Sequence, residues 1–148
     1  MKLPICPFVG AGALRFGMCR NEIRSALQSE YTSYLKGDDT KADAFDSLGI
    51  HVYYNDHEQC EAIEFYGPCQ PVLDSVQLLD ISYSKLKSQI KAIDPKLEED
   101  DVGFISCRAG IGAYAPSHMS TPEASVDSVI IFREGYYGNT MATAAQSE

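Results

Sequence analysis

The sequence predicts an α+β protein: a tandem repeat of helix plus antiparallel strands, forming one mostly antiparallel sheet with helices on one face. Three observations predict it. Phe16, Met18, Ile23 and Leu27 recur as Leu79, Ile81, Leu86 and Ile90 at one common offset. Gly49-Ile50-His51-Val52-Tyr53 is echoed by Gly110-Ile111-Gly112-Ala113-Tyr114. Ile63-Glu64-Phe65 is echoed by Ile130-Ile131-Phe132, after an insertion rich in Ser, His and Pro over residues 117–122. A unit of this length cannot bury its apolar face alone, so the two copies are expected to pair through their sheets. The expected organisation is a single domain over residues 1–140, with repeats at about 10–67 and 72–135, and a flexible, small and polar tail at 141–148.

Residues 3–9 are apolar but carry Pro4 and Pro7, which suits an extended edge segment. Gly10-Ala11-Gly12 reads as a turn or bulge. Ile23, Ala26, Leu27 and Tyr31 keep helical spacing, with Arg20, Glu22 and Arg24 on the wet side, so a helix is expected near 19–28. Residues 37–43 are polar and acidic, a loop. Residues 50–54 and 61–66 are two strands joined by Asn55-Asp56-His57-Glu58, a hairpin. Alternation turns Ile50, Val52, Tyr54, Ile63 and Phe65 to the core, and His51, Tyr53, Glu64 and Tyr66 outward. Gly67-Pro68 stops the second strand, and residues 68–76 link the halves.

In the second half, Ser82 is a good cap for a helix over 83–93, with Leu86, Ile90 and Ile93 as its buried stripe. Asp94-Pro95 ends it, because a residue before proline avoids the helical region. Residues 98–101 read as a solvated acidic loop. Strands follow near 103–107, 111–115 and 126–133, with Ile111, Ile130 and Phe132 buried and Tyr114 and Arg133 outward. Antiparallel sheets tolerate a wet face, so the outward side is expected to be open.

Composition narrows the function. The 148 residues are 45% hydrophobic, enough for a sizeable core. Net charge is −9, from 21 acids against 12 bases, which argues against nucleic acid or an anionic membrane as partner. It favours a basic partner, or it simply keeps the protein soluble. Five cysteines, an odd number with no Cys-x-x-Cys pair, suggest reduced thiols in a cytoplasm. Pro4, Pro7 and the glycines at 10 and 12 break any secretion signal, and no stretch is long enough to span a membrane.

Chemistry-bearing patterns are scarce. His51, His57 and His118 have no metal-ligand spacing and read as surface histidines, so no metal or cofactor is expected. Cys107 beside Arg108 has no nucleophile turn, and an enzyme is not expected. Gly10-Ala11-Gly12 lacks the third glycine of a dinucleotide site. The acidic run of Glu98, Glu99, Asp100 and Asp101 lacks the calcium-loop pattern. The tyrosines are more informative: there are nine, and no tryptophan. Tyr53, Tyr66 and Tyr114 on the outward face suit an interface, since tyrosine joins a rigid apolar body to a polar tip. His51 and Glu64 share that face. Asp56, Glu58 and the acids at 98–101 would form a negative rim. Tyr54 and Tyr83 suit the edges of the core, and Tyr136-Tyr137 could pack back onto the sheet.

The stretch Leu14-Arg15-Phe16-Gly17-Met18-Cys19-Arg20-Asn21-Glu22-Ile23 resembles a helix-start motif, Gly-Met-Ser/Thr-x-x-Glu/Gln-Val. That motif belongs to the superfamily containing the beta-lactamase inhibitory protein and the SmpA-type outer-membrane lipoproteins. Cys19 stands where the family has Ser or Thr. The resemblance implies tandem repeats of helices followed by antiparallel strands. Residues 48–54 and 60–65 are similar to small cytosolic bacterial proteins, some of which look like immunity proteins of polymorphic toxin systems. Neither the lipoprotein role nor the inhibitor's secretion and disulfides carry over. The resulting expectation is a cytosolic immunity protein that neutralises a basic toxin, such as a nuclease, through an open sheet face with an acidic rim. The alternative is a small-molecule-binding or enzymatic domain with a cleft between the repeats. An inhibitor should present a broad open surface; an enzyme should present a closed pocket with perturbed titratable groups.

Overall fold

The computed structural model describes residues 1–37 and 39–137, so the expected tail at 141–148 lies outside the described residues. In chain order the first half runs β1 (Lys2–Cys6), β2 (Gly10–Ala11), β3 (Leu14–Arg15), α1 (Arg20–Leu27), β4 (Thr32–Leu35), β5 (Lys41–Phe45), β6 (Ile50–Tyr54) and β7 (Cys60–Phe65). The second runs β8 (Gln70–Leu73), β9 (Val76–Gln77), α2 (Tyr83–Ile93), β10 (Glu98–Asp100), β11 (Gly103–Ser106), β12 (Ile111–Tyr114) and β13 (Ser128–Phe132). The class is α+β, as expected, but the described residues form two sheets rather than one. An eight-stranded antiparallel sheet has the order β10-β11-β12-β13-β7-β6-β5-β4. A five-stranded sheet has the order β3-β2-β1-β8-β9 and contains a parallel pair, β1 with β8.

The second sheet corrects three expectations at once. Gly10–Ala11 is a paired strand where a turn or bulge was expected, and the link at 68–76 holds β8 and the start of β9. These strands have two to four residues, too short for alternation to register. Likewise β5 begins inside the expected loop at 37–43, and Glu98–Asp100 is an edge strand, not a loop. Pairing with β11 holds those acids extended, a case of tertiary context overriding composition.

The helices follow the sequence closely. Ser82 accepts the Lys85 amide at 3.1 Å and opens α2. Cys19 is the N-cap of α1, and Glu22 accepts the Cys19 amide at 3.0 Å. Left-handed Gln28 (φ 45°) ends α1, so Tyr31 falls outside it and is exposed. Ile93, expected in the buried stripe of α2, is 45% exposed in its last turn.

One core lies against the inner face of the large sheet. It joins Ile23 and Leu27 of α1, Leu86 and Ile90 of α2, and Leu3, Ile5 and Leu14 of the small sheet to Phe45, Ile50, Val52, Ile63, Phe65 and Ile111. The last strand is the main correction. Val129 pairs with Phe65 and Ile131 with Ile63, so Val129 and Ile131 face this core. Ile130 and Phe132 therefore face the other way. Ile130 is half-buried, while Phe132 is buried in a second, outer cluster with Ala42, Tyr53 and Ala62. Arg133 accordingly turns from the outer face and pairs with Glu61 at 3.3 Å.

Each helix is also tied to the large sheet by a polar hub, buried for α1 and exposed for α2. Asp43 on β5, fully buried, accepts from Arg20 at 2.8 Å, Arg24 at 2.9 Å, Ser33 at 2.6 Å and Tyr54 at 3.0 Å. On the other side Glu99 accepts from Tyr83 at 2.7 Å and Lys87 at 2.9 Å, both on α2. His118, expected at the surface, is buried here. It stacks on Tyr83 at 4.3 Å and donates from Nε2 to the Asp100 carbonyl at 2.7 Å.

Candidate functional site

Strand alternation and the pairing register decide what the outer face of the large sheet carries. Starting from the β10 edge, these are Glu98 and Asp100, Gly103 and Ile105, Gly112 and Tyr114, then Ser128 and Ile130. Beyond them come Ala62 and Glu64, His51 and Tyr53, Ala42, and finally Tyr34. Two of these positions have no side chain. Gly112 sits between Ile105 and Ile130, and an added Cβ would meet Ile130 Cγ2 at 3.0 Å. Gly103 has φ +152°, and a Cβ there would meet the Ala113 carbonyl at 1.8 Å, so glycine is required. This part of the face holds a trough of about 410 Å³, lined by Lys36, Tyr53, Glu64, Ile105, Gly112, Tyr114, Ser128, Ile130 and Tyr137 together with the β10–β11 hairpin.

Glu64 is the charged group of the sheet floor. One of its oxygens accepts from the Tyr53 hydroxyl at 2.6 Å and the other from Ser128 at 2.7 Å. Burial, then the Glu64 carboxylate, holds the Tyr53 hydroxyl proton far above the ordinary phenol range. The Lys36 ammonium lies 4.2 Å from the centre of the Tyr53 ring. Tyr34 lies across the small Ala42 from Tyr53 on the same face, and burial holds its hydroxyl proton above the ordinary phenol range. Tyr34 in turn meets His51 Nδ1 at 2.8 Å, and His51 Nε2 meets Asp46 at 3.1 Å. Asp46 also accepts from Tyr66, and the Tyr66 and His51 hydrogen bonds hold its carboxyl below the usual range. Two polar chains thus lie side by side on the outer face, one from Tyr66 through Asp46 and His51 to Tyr34, the other from Tyr53 through Glu64 to Ser128.

The expected site residues separate into groups. Glu64, Tyr114, Glu98 and Asp100 line the trough. Tyr53 does too, but it is only 4% exposed and acts as a buried support rather than an open anchor. His51 and Tyr66 are half-buried in the Asp46 cluster beside it, with ring centres 5.1 Å apart. Glu99 faces the helix side and is neutralised by Lys87. Asp101 is exposed in the turn after β10, and Asp56 and His57 are exposed in the β6–β7 turn. Glu58 leaves the rim altogether, pairing with Arg20 at 3.1 Å beside α1. The face is also less open than expected, since Tyr136 and Tyr137 pack on Phe132 with ring centres 5.9 and 4.9 Å away.

Sequence reasoning missed Ser128, Lys36, Tyr34 and Asp46. Ser128 follows directly once the β13 register is known. The others sit on or beside strands β4 and β5, whose existence carried no clear signal.

The five cysteines are unpaired. Burial pushes the Cys60 thiol up to about 12 and the Cys69 thiol up to about 11. Cys107 is raised by burial and by the acids Glu98 and Asp94. None of these three is an activated thiolate. Among the described residues no group of three His, Cys, Asp or Glu side chains is placed to hold a metal, and no helix is long and apolar enough to cross a membrane. Compared with known proteins, the chain matches no family model, no curated protein and no solved structure.

Proposed function

We propose that the chain is a protein-binding inhibitor, an immunity-type protein that neutralises a basic cognate toxin, a nuclease being one fitting class. The observation that carries this reading is the outer sheet face. Tyr114, 48% exposed, stands beside a trough whose far edge bears the outward carboxylates of Glu98 and Asp100. A rigid exposed aromatic next to a concave, acidic surface suits a basic protein. The net charge of −9 would speed encounter with it. The thiols at all five cysteines support a cytoplasmic setting.

The same reading includes an internal duplication. Its support is the strand order, which runs β7-β6-β5-β4 to one side of the centre and β13-β12-β11-β10 to the other, each set preceded by one helix. The Glu22 to Cys19 capping bond fits the helix-start motif of the inhibitory-protein superfamily. The reading is tested by co-expressing the chain with the product of its neighbouring gene and measuring complex formation. A stable 1:1 complex that blocks the partner's toxicity is expected. Absence of any complex would overturn it.

A second reading, small-ligand binding or catalysis, is favoured by one observation. The trough volume of about 410 Å³ lies within the range of small-molecule sites, roughly 300–1,000 Å³. Turnover or tight retention of a metabolite by the purified chain would put this reading first.

A further inference from the structure

The trough holds an acid without a countercharge. Both donors to Glu64, the hydroxyls of Tyr53 and Ser128, are neutral. Among the described residues no ion pair reaches this carboxylate. Each carboxylate oxygen has two acceptor positions, so each keeps one for a further donor. The surroundings are apolar and aromatic, from Ile105, Ile130, Tyr114 and Tyr137. A charge contact formed there would be screened less than one at an open surface. The single ammonium among the lining residues, that of Lys36, already lies over the Tyr53 ring at 4.2 Å. The chain's own lysine thus demonstrates that this wall accepts a cation on an alkyl stem.

We propose that the trough is a socket for one guanidinium, supplied by an arginine side chain of the protein partner. The proposal rests on the protein-binding reading and names its anchor. Arginine fits better than lysine for two physical reasons. Its planar fork can bond both oxygens of one carboxylate, and its flat face stacks on aromatic rings. The stem would lie on Ile105 and Ile130, and the guanidinium would take the open acceptor positions of Glu64. Glu98 and Asp100 contribute long-range attraction and no specific contact. Lys36 competes for the same wall and repels the incoming charge.

The test uses a capped Gly-Arg-Gly peptide and its citrulline counterpart, which has nearly the same shape without the charge. Each is titrated into isotope-labelled protein while the backbone amides of Gly103 and Gly112 are followed by NMR. The arginine peptide should bind about tenfold more tightly than the citrulline peptide, as a charge-assisted pair requires. Glu64→Gln should reduce that preference to about twofold or less, and Lys36→Ala should tighten arginine binding by about threefold. Equal binding of the two peptides, or a preference that survives Glu64→Gln, overturns the socket. If the Gln variant loses its native amide spectrum, the Lys36→Ala result decides alone. A partner complex that forms normally with Glu64→Gln leaves the inhibitor reading intact and rejects the socket. Charge-dependent arginine binding with no protein partner rejects the inhibitor reading and the partner's arginine with it, and retains only the guanidinium site itself.

Discussion

Asp43 shows how one buried residue can set the acid response of the chain. Burial by itself would raise its carboxyl; Arg24, Ser33, Arg20 and Tyr54 together overcome this and bring it down to about 2. A carboxyl lowered on folding stabilises the native state at pH values above its unfolded value, 3.8, and this contribution is lost as pH falls through about 2. The difference corresponds to roughly 2 kcal/mol. Asp43→Asn should remove that part of the acid sensitivity. It should also cost about 3 kcal/mol at neutral pH, because Arg20 and Arg24 lose their shared anion. Urea titrations of both proteins at pH 7 and near pH 3 check this: the gap between them should narrow at the lower pH. A constant gap would mean that Asp43 is not the titrating group.

At the scale of the element, β13 decides between two registers that the sequence could not separate. Val129, Ile130, Ile131 and Phe132 are four apolar residues in a row, so periodicity carries no phase. Both faces of this strand are covered, one by the main core and the other by Tyr136 and Tyr137. The echo of Ile63-Glu64-Phe65 therefore pointed to the wrong partner by one residue. The observed register predicts an order of mutational cost. Ile131→Ala should cost about 2–5 kcal/mol, and half-buried Ile130→Ala only about 1 kcal/mol. Denaturant titration giving the reverse order would restore the other register. Elsewhere legibility followed length and pattern. Ser82, Leu86 and Ile90 marked α2, and the alternation of Ile50 to Tyr54 placed Tyr53 and Glu64 on the outer face. The two- to four-residue strands β2, β4, β8 and β9 are defined by their neighbours rather than by their own residues. The trough itself was hidden for a related reason: its lining comes from segments far apart in the chain, which only strand pairing brings together.

For the whole molecule, charge and shape make separable contributions to binding. Glu98 and Asp100 face outward at the trough edge, whereas Glu99 is occupied by Tyr83 and Lys87 on the opposite face. Reversing Glu98 and Asp100 to lysine should slow association with a basic partner by about tenfold and flatten its salt dependence. Replacing Tyr114 by alanine should instead speed dissociation, by about 2 kcal/mol if it is a central anchor. Reversing Glu99 should lower thermal stability and leave association nearly unchanged. Surface-binding kinetics at two salt concentrations, with melting curves of each variant, distinguish the three. Loss of association rate on reversing Glu99 alone would place the acidic surface on the helix side.

The two margins of the eight-stranded sheet differ in a way that bears on handling and storage. An unpaired strand is a template for another copy of the chain, and charge is the usual guard against such stacking. Glu98, Glu99 and Asp100 guard β10. At the opposite margin β4 reads Thr-Ser-Tyr-Leu, uncharged, with Leu35 62% exposed. Self-association should therefore start at β4, joining two molecules edge to edge as concentration rises. Leu35→Lys should delay turbidity in a concentrated sample at neutral pH, while neutralising Glu98 should create a second sticky margin and convert pairs of molecules into fibres.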